Sequence, residues 1–118
     1  MKKTEEARTS TLQSEGPVMA KAEIQKVNIC GIPHIIEYKE DNFNSDLHLG
    51  DIHYGEAKIQ INRGVSKSIQ HEALCHEILH GILIHMGRDD LNNDEPFVTC
   101  LGNAISQSFT PKIETFLE

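Results

Sequence analysis

A chain of 118 residues with a formal charge of −7, 38% hydrophobic and 25% charged residues has the composition of one folded domain, and is too short for two that each bury a core. Its lysines and arginines are scattered, which argues against a phosphate-binding face and against direct nucleic-acid recognition. No apolar run approaches the roughly 18 residues that span a bilayer, and Met1-Lys2-Lys3-Thr4-Glu5-Glu6 has no apolar stretch behind it to make a secretory leader.

Residues 1–20 are polar, lack periodicity and close on Gly16-Pro17, so they are read as a flexible N-terminal segment ahead of a single domain at 21–118. Ile24, Val27 and Ile29 lead to Gly31, and the run Ile32 to Tyr38 follows, a pattern that predicts two strands joined through Cys30-Gly31. The polar stretch 39–50 is expected to be a loop. Ile52-His53-Tyr54 and Ala57-Lys58-Ile59-Gln60-Ile61 flank Gly55-Glu56, which suits a two-residue type II′ hairpin turn. Ile59 and Ile61 are expected to face the core, with Lys58 and Gln60 turned away. Ser66 or Ser68 can cap a helix that runs to a left-handed stop near Gly87. Leu74, Cys75, Ile78, Leu79, Ile82, Leu83 and Met86 cover more than half its circumference, so it is expected to be buried on most sides. After a polar link from Asp89 to Asp94, Pro96 starts a second helix through Phe97, Val98, Leu101, Ile105 and as far as Phe109. The expected fold class is α+β: a small, twisted antiparallel sheet of three to four strands packed on the central helix, with the second helix alongside.

The central helix carries His76-Glu77-Ile78-Leu79-His80. Residues four apart lie one above the other on a helix, so His76 and His80 can offer ring nitrogens to one ion. Glu77 is offset by about 100°, near such an ion but not bonded to it, which frees its carboxylate to act as general base toward a water molecule. Zinc, one ion per chain, suits this donor set and would make water a nucleophile at neutral pH, the chemistry of peptide-bond hydrolysis. A third protein ligand is required. His85 and His71 lie at the wrong angles around the same helix, whereas Glu95 follows a link long enough to reverse the chain; Asp94 is the alternative. Leu83 and Met86 stand where the extended metzincin pattern needs glycine and histidine, which excludes that class. His71 and Cys75 form a rival register for a structural site, but no second pair exists to close it. His34, His48 and His53 are isolated and expected to be exposed. Tyr54 is a strand aromatic that could support an oxyanion if the hairpin lines the cleft. Cys30, Cys75 and Cys100 are odd in number and contain no Cys-x-x-Cys pair, so they are expected to be buried, reduced thiols of a cytoplasmic protein.

The strand Ile59-Gln60-Ile61-Asn62, the segment Leu74-Cys75-His76-Glu77-Ile78-Leu79-His80-Gly81-Ile82 and the helix opening Asp94-Glu95-Pro96-Phe97-Val98 resemble the small gluzincin-like metallopeptidases of phage and prophage genomes. These are akin to the ImmA/IrrE group and more loosely to SprT-like proteins. The likeness covers the layout of residues 24 to 110, and its specific part is the His-Glu-x-x-His segment. It implies a small twisted sheet against a zinc-bearing helix, with zinc held by His76, His80 and Glu95 and with Glu77 as general base. It further implies a protein or peptide substrate, such as a regulatory repressor. Glu95-Pro96-Phe97-Val98-Thr99-Cys100-Leu101 departs from the Glu-x-x-Ala-Asn-x-Phe-Ala type of segment common in that group. The rival reading is a catalytically silent, zinc-stabilised interaction module.

Overall fold

A computed structural model describes residues 23–40 and 48–117. The expected N-terminal segment at 1–20 and most of the expected loop at 39–50 lie outside the described residues. The elements in chain order are β1 (Glu23–Ile29), β2 (Ile32–Lys39), β3 (Gly50–His53), β4 (Lys58–Asn62), α1 (Lys67–His85), α2 (Asp89–Asn92), α3 (Glu95–Ser108) and β5 (Ile113–Leu117), with one 3-10 turn at Tyr54–Glu56. The fold class is α+β, with three helices and a five-stranded sheet in the order β3-β4-β2-β1-β5. No helix among the described residues is long and apolar enough to cross a membrane.

The β1–β2 hairpin forms as expected, with Ile29 opposite Ile32 and with Cys30 and Gly31 both at positive φ in the turn. The rest of the sheet departs from the expected antiparallel sheet of three to four strands in two ways. First, β4 runs parallel to β2, with Ile36 beside Ile59 and Tyr38 beside Ile61. The chain leaving β2 first lays down β3 at the outer edge and then returns to fill the gap between them, as parallel neighbours require a crossover rather than a tight turn. Second, Ile113-Glu114-Thr115-Phe116-Leu117 adds β5 antiparallel to β1, on the far side from the motif hairpin.

The expected type II′ turn at Gly55-Glu56 is instead a longer connection. A 3-10 turn at Tyr54–Glu56 ends on Ala57, which has φ 53° and whose N–H donates to the Tyr54 carbonyl at 3.0 Å. Ile59 and Ile61 are fully buried, as the alternation predicts. Gln60 and Asn62 are buried as well, because β4 is an inner strand. Their amides are satisfied: Gln60 Nε2 donates to Glu37 Oε1 and Asn62 Nδ2 to the His48 carbonyl.

Val27, Ile29, Ile36, Ile59, Ile61, Ala73 and Leu74 form the core between sheet and α1. A second cluster, Leu79, Leu83 and Val98 with Leu91 and Phe97 against it, packs α2 and α3 onto the other side of α1. His34, expected to be exposed, is wholly buried on the core face opposite Val27. Its Nδ1 donates to the Ile32 carbonyl and its ring lies against Tyr54, so the imidazole serves as a flat core side chain. Of the three free cysteines only Cys75 is buried. Cys30 is in the hairpin turn and Cys100 on the outer side of α3, both exposed, which corrects the expectation of three buried thiols.

Candidate metal centre

The site begins with a well-terminated helix. Ser66 Oγ accepts from the Ile69 N–H at the start of α1. At its end Gly87 takes φ +72°, which lets the Arg88 and Gly87 N–H groups close on the Leu83 and Ile84 carbonyls. Buried Ala73, Leu74, Cys75, Leu79 and Leu83 fix the rotation of α1, and His76, Glu77 and His80 come to line one cleft of about 420 Å³. Gly81 allows α1 to lie close to the sheet: a Cβ there would come within 2.9 Å of Ile29 Cδ1 and Ile52 Cδ1.

Glu95 arrives from α3. Asp94, the alternative ligand, is occupied as the N-cap of that helix, its Oδ1 accepting from the Phe97 N–H at 3.2 Å. Pro96 in the first turn holds the start of α3. Glu95 is thereby turned back over α1, with Oε1 2.7 Å from His80 Nε2 and Oε2 3.4 Å from His76 Nε2. The histidine rings stand edge to face with centroids 4.9 Å apart. One ligand atom from each of His76, His80 and Glu95 lies within 4.8 Å of the others, so the group could hold a metal ion. Two imidazole nitrogens and one carboxylate oxygen leave a fourth position of a tetrahedron open. Burial is the main influence on His76 and holds its pKa below the ordinary imidazole value, favouring the neutral ring that can ligate.

Glu77 has a different environment from Glu95. It is 8% exposed, beneath β3, where a Cβ on Gly50 would come 3.4 Å from its Cγ. Burial pushes its carboxyl up to about 7, the Asp51 and Glu95 carboxylates add to the rise, and His80 and His48 oppose it. It lines the cleft beside both histidines without lying in their ligand triangle.

Most of the other titratable residues named in the sequence are elsewhere. His71 Nε2 donates to the Ser106 carbonyl at 2.9 Å, and Cys75 lines a separate apolar groove, so the rival His71–Cys75 register is not assembled. Tyr54 is not at the cleft; its hydroxyl is hydrogen-bonded with His85 Nδ1 at 2.7 Å. Asp89 and Asp90 are exposed, with Asp90 held by Arg88. His53 is exposed as expected, and His48, also exposed, lines the cleft with its Nε2 3.0 Å from Asp51 Oδ1.

Sequence reasoning missed several cleft residues. Thr99 and Asn103 follow Glu95 at helical spacing and could have been found by extending its face along α3. Asn92, the last residue of α2, sits with Oδ1 2.7 Å from His80 Nδ1, and nothing in the polar link marked it out. Compared with profiles of protein families, with curated proteins and with solved structures, the chain matches none.

Proposed function

We propose that this chain is a zinc-dependent metallopeptidase, with one ion held by His76, His80 and Glu95 and with Glu77 as general base. The observation that carries this reading is the convergence of two helices on one point: the three ligand atoms come within 4.8 Å of one another, and a buried carboxylate stands beside them in the same cleft. When bound, zinc would polarise the scissile carbonyl and make water a nucleophile at neutral pH. Glu77 accepts the proton that water gives up as its oxygen attacks the carbonyl carbon, then delivers that proton to the amine nitrogen as the carbon–nitrogen bond breaks. Gly50 and Asp51 of β3 line the cleft, and β3 is the end strand of the sheet order. A peptide can therefore lie along β3 as a further strand and bring its carbonyl over the histidines.

The substrate is a protein or peptide. Asp51, Glu72, Glu77 and Glu95 line the cleft and, among the described residues, no lysine or arginine does, an electrostatic setting unsuited to nucleic acid. The likeness to phage and prophage regulatory proteases makes a repressor-like protein the first substrate to try, and the free thiols suit the cytoplasm. A zinc-stabilised interaction module is the second reading, since Glu95 on α3 and the histidines on α1 would make the ion a clamp between helices.

Two measurements decide. The parent is expected to hold close to one zinc per chain and Glu95→Ala far less; undiminished occupancy in that variant would remove Glu95 from the ligand set. Glu77→Gln is expected to keep the zinc and lose cleavage of a quenched-fluorescence peptide library. A zinc-loaded parent that cleaves nothing in the library or in repressor-type proteins would favour the module.

A further inference from the structure

We infer that Asn92 is a positioning residue for the metal centre, acting through His80, an inference that rests on the metal-binding reading above. α2 is a single turn, and what anchors it is Leu91, packed against the cluster of Leu79, Leu83 and Val98. Arg88 precedes it and closes on Asp90 through two hydrogen bonds of 3.0 and 2.8 Å. The Asn92 N–H donates to the Arg88 carbonyl at 2.9 Å, so the backbone carrying the amide is held from both sides. Its Oδ1 then meets His80 Nδ1 at 2.7 Å.

An amide oxygen can only accept, so His80 must carry its proton on Nδ1 to make this contact. Nε2, 2.7 Å from Glu95 Oε1 and on the side of His76, is the nitrogen left to face an ion; without an ion, a proton on Nε2 makes the hydrogen bond to the Glu95 carboxylate. When an ion takes the place of that proton, Asn92 holds the remaining one on Nδ1, and without this acceptor the ring loses the contact that keeps Nε2 aimed at the ion. Asn92 therefore selects the ligating tautomer and fixes the ring plane, the role that outer hydrogen-bond partners of metal-bound histidines fill in general. The His80 ring is half-buried and approached from opposite edges by α2 and α3.

The test compares the parent with Asn92→Ala and Asn92→Asp, each first checked for its native circular dichroism and urea midpoint without metal. Zinc affinity, measured by competition with a chromophoric chelator, is expected to fall about 10- to 100-fold in Asn92→Ala. Asn92→Asp, which keeps an acceptor oxygen, is expected to stay within a few-fold of the parent. Long-range proton–nitrogen correlation spectra of the zinc-loaded protein should show His80 protonated on Nδ1 in the parent, with that proton slow to exchange, and faster exchange of it in Asn92→Ala. Parent-like affinity in Asn92→Ala overturns the inference, as does Nε2 protonation in the parent or failure of a folded Asn92→Asp to rescue. A parent that binds no zinc would refute the metal reading itself, whereas zinc bound equally well by the parent and Asn92→Ala would refute only this inference.

Discussion

Glu77 occupies a position that is costly for a carboxylate: it is buried beneath an edge strand, among other acids, with its carboxyl pushed up to about 7. A raised acid binds its proton more tightly in the folded state than in the unfolded chain, so the native state holds more protons between about 4.5 and 7. For metal-free protein this contribution is fully favourable below the unfolded value and is lost as pH rises through the folded one. The size is on the order of 3 kcal/mol. Glu77→Gln should therefore stabilise the metal-free protein at pH 8 relative to the parent and make little difference at pH 4, as read from urea midpoints at both. Equal differences at the two pH values would contradict this placement of the carboxylate. His76, Glu77 and His80 were legible in the sequence because helical spacing converts directly into shared direction, and Glu95 because the link after α1 is long enough to turn the chain back. Asn92 was not legible, because an amide in an irregular link has no period to announce which side chain it will meet. His34 was misread, although Ile32, His34 and Ile36 alternate as one strand face does and Val27 lies opposite.

Contacts between elements set the precision of the site. Gly102 on α3 is buried against α1, where a Cβ would stand 3.3 Å from the Cα of His76. That neighbour is backbone and cannot rotate away, so Gly102→Ala must shift α3 by a few tenths of an ångström, carrying Glu95 with it. The expected result is about a 3- to 10-fold weaker zinc affinity with about 1 kcal/mol lost in stability; unchanged affinity by chelator competition would mean that α3 is not what aims Glu95. At the end of α1, Gly87→Ala should cost about 1 kcal/mol in a urea titration, because a side chain at φ +72° is strained. Apart from α2, a single helical turn inside the stretch expected to be a polar link, the helices and the first hairpin follow from local signals: Ser66, Gly87, Pro96 and Cys30-Gly31 all lie where their chemistry puts ends and turns. The parallel β2–β4 pairing does not, because alternation within a strand tells which face is buried but not which strand lies next to it. β5 did carry a signal, the β-branched and aromatic Ile113, Thr115 and Phe116 after Pro111, and reading on past α3 would have found it.

At the scale of the whole molecule, an ion held by His76, His80 and Glu95 would couple the α1 face to the chain beyond α2. An ion that binds only the native state adds about 2.7 kcal/mol at a free concentration a hundredfold above its Kd. In a domain of this size that corresponds to a rise in Tm of roughly 10 °C or more. Thermal melts with and without zinc should show that rise in the parent and lose it in the double variant His76→Ala, His80→Ala; an equal rise in the double variant would place the binding elsewhere.

The sheet order has a consequence for assembly. β1 lies between β2, its immediate successor, and β5, and its Val27 pairs with both His34 and Ile113. One flank of β1 can zip up as soon as the hairpin is made, whereas the other must wait for residues from the opposite end of the described chain. During synthesis on a ribosome, the hydrogen-bonding groups on that flank would stay open to water until the segment after 113 emerges. Through that interval the nascent chain would present an unguarded β edge, the feature by which immature sheets recruit chaperones or one another.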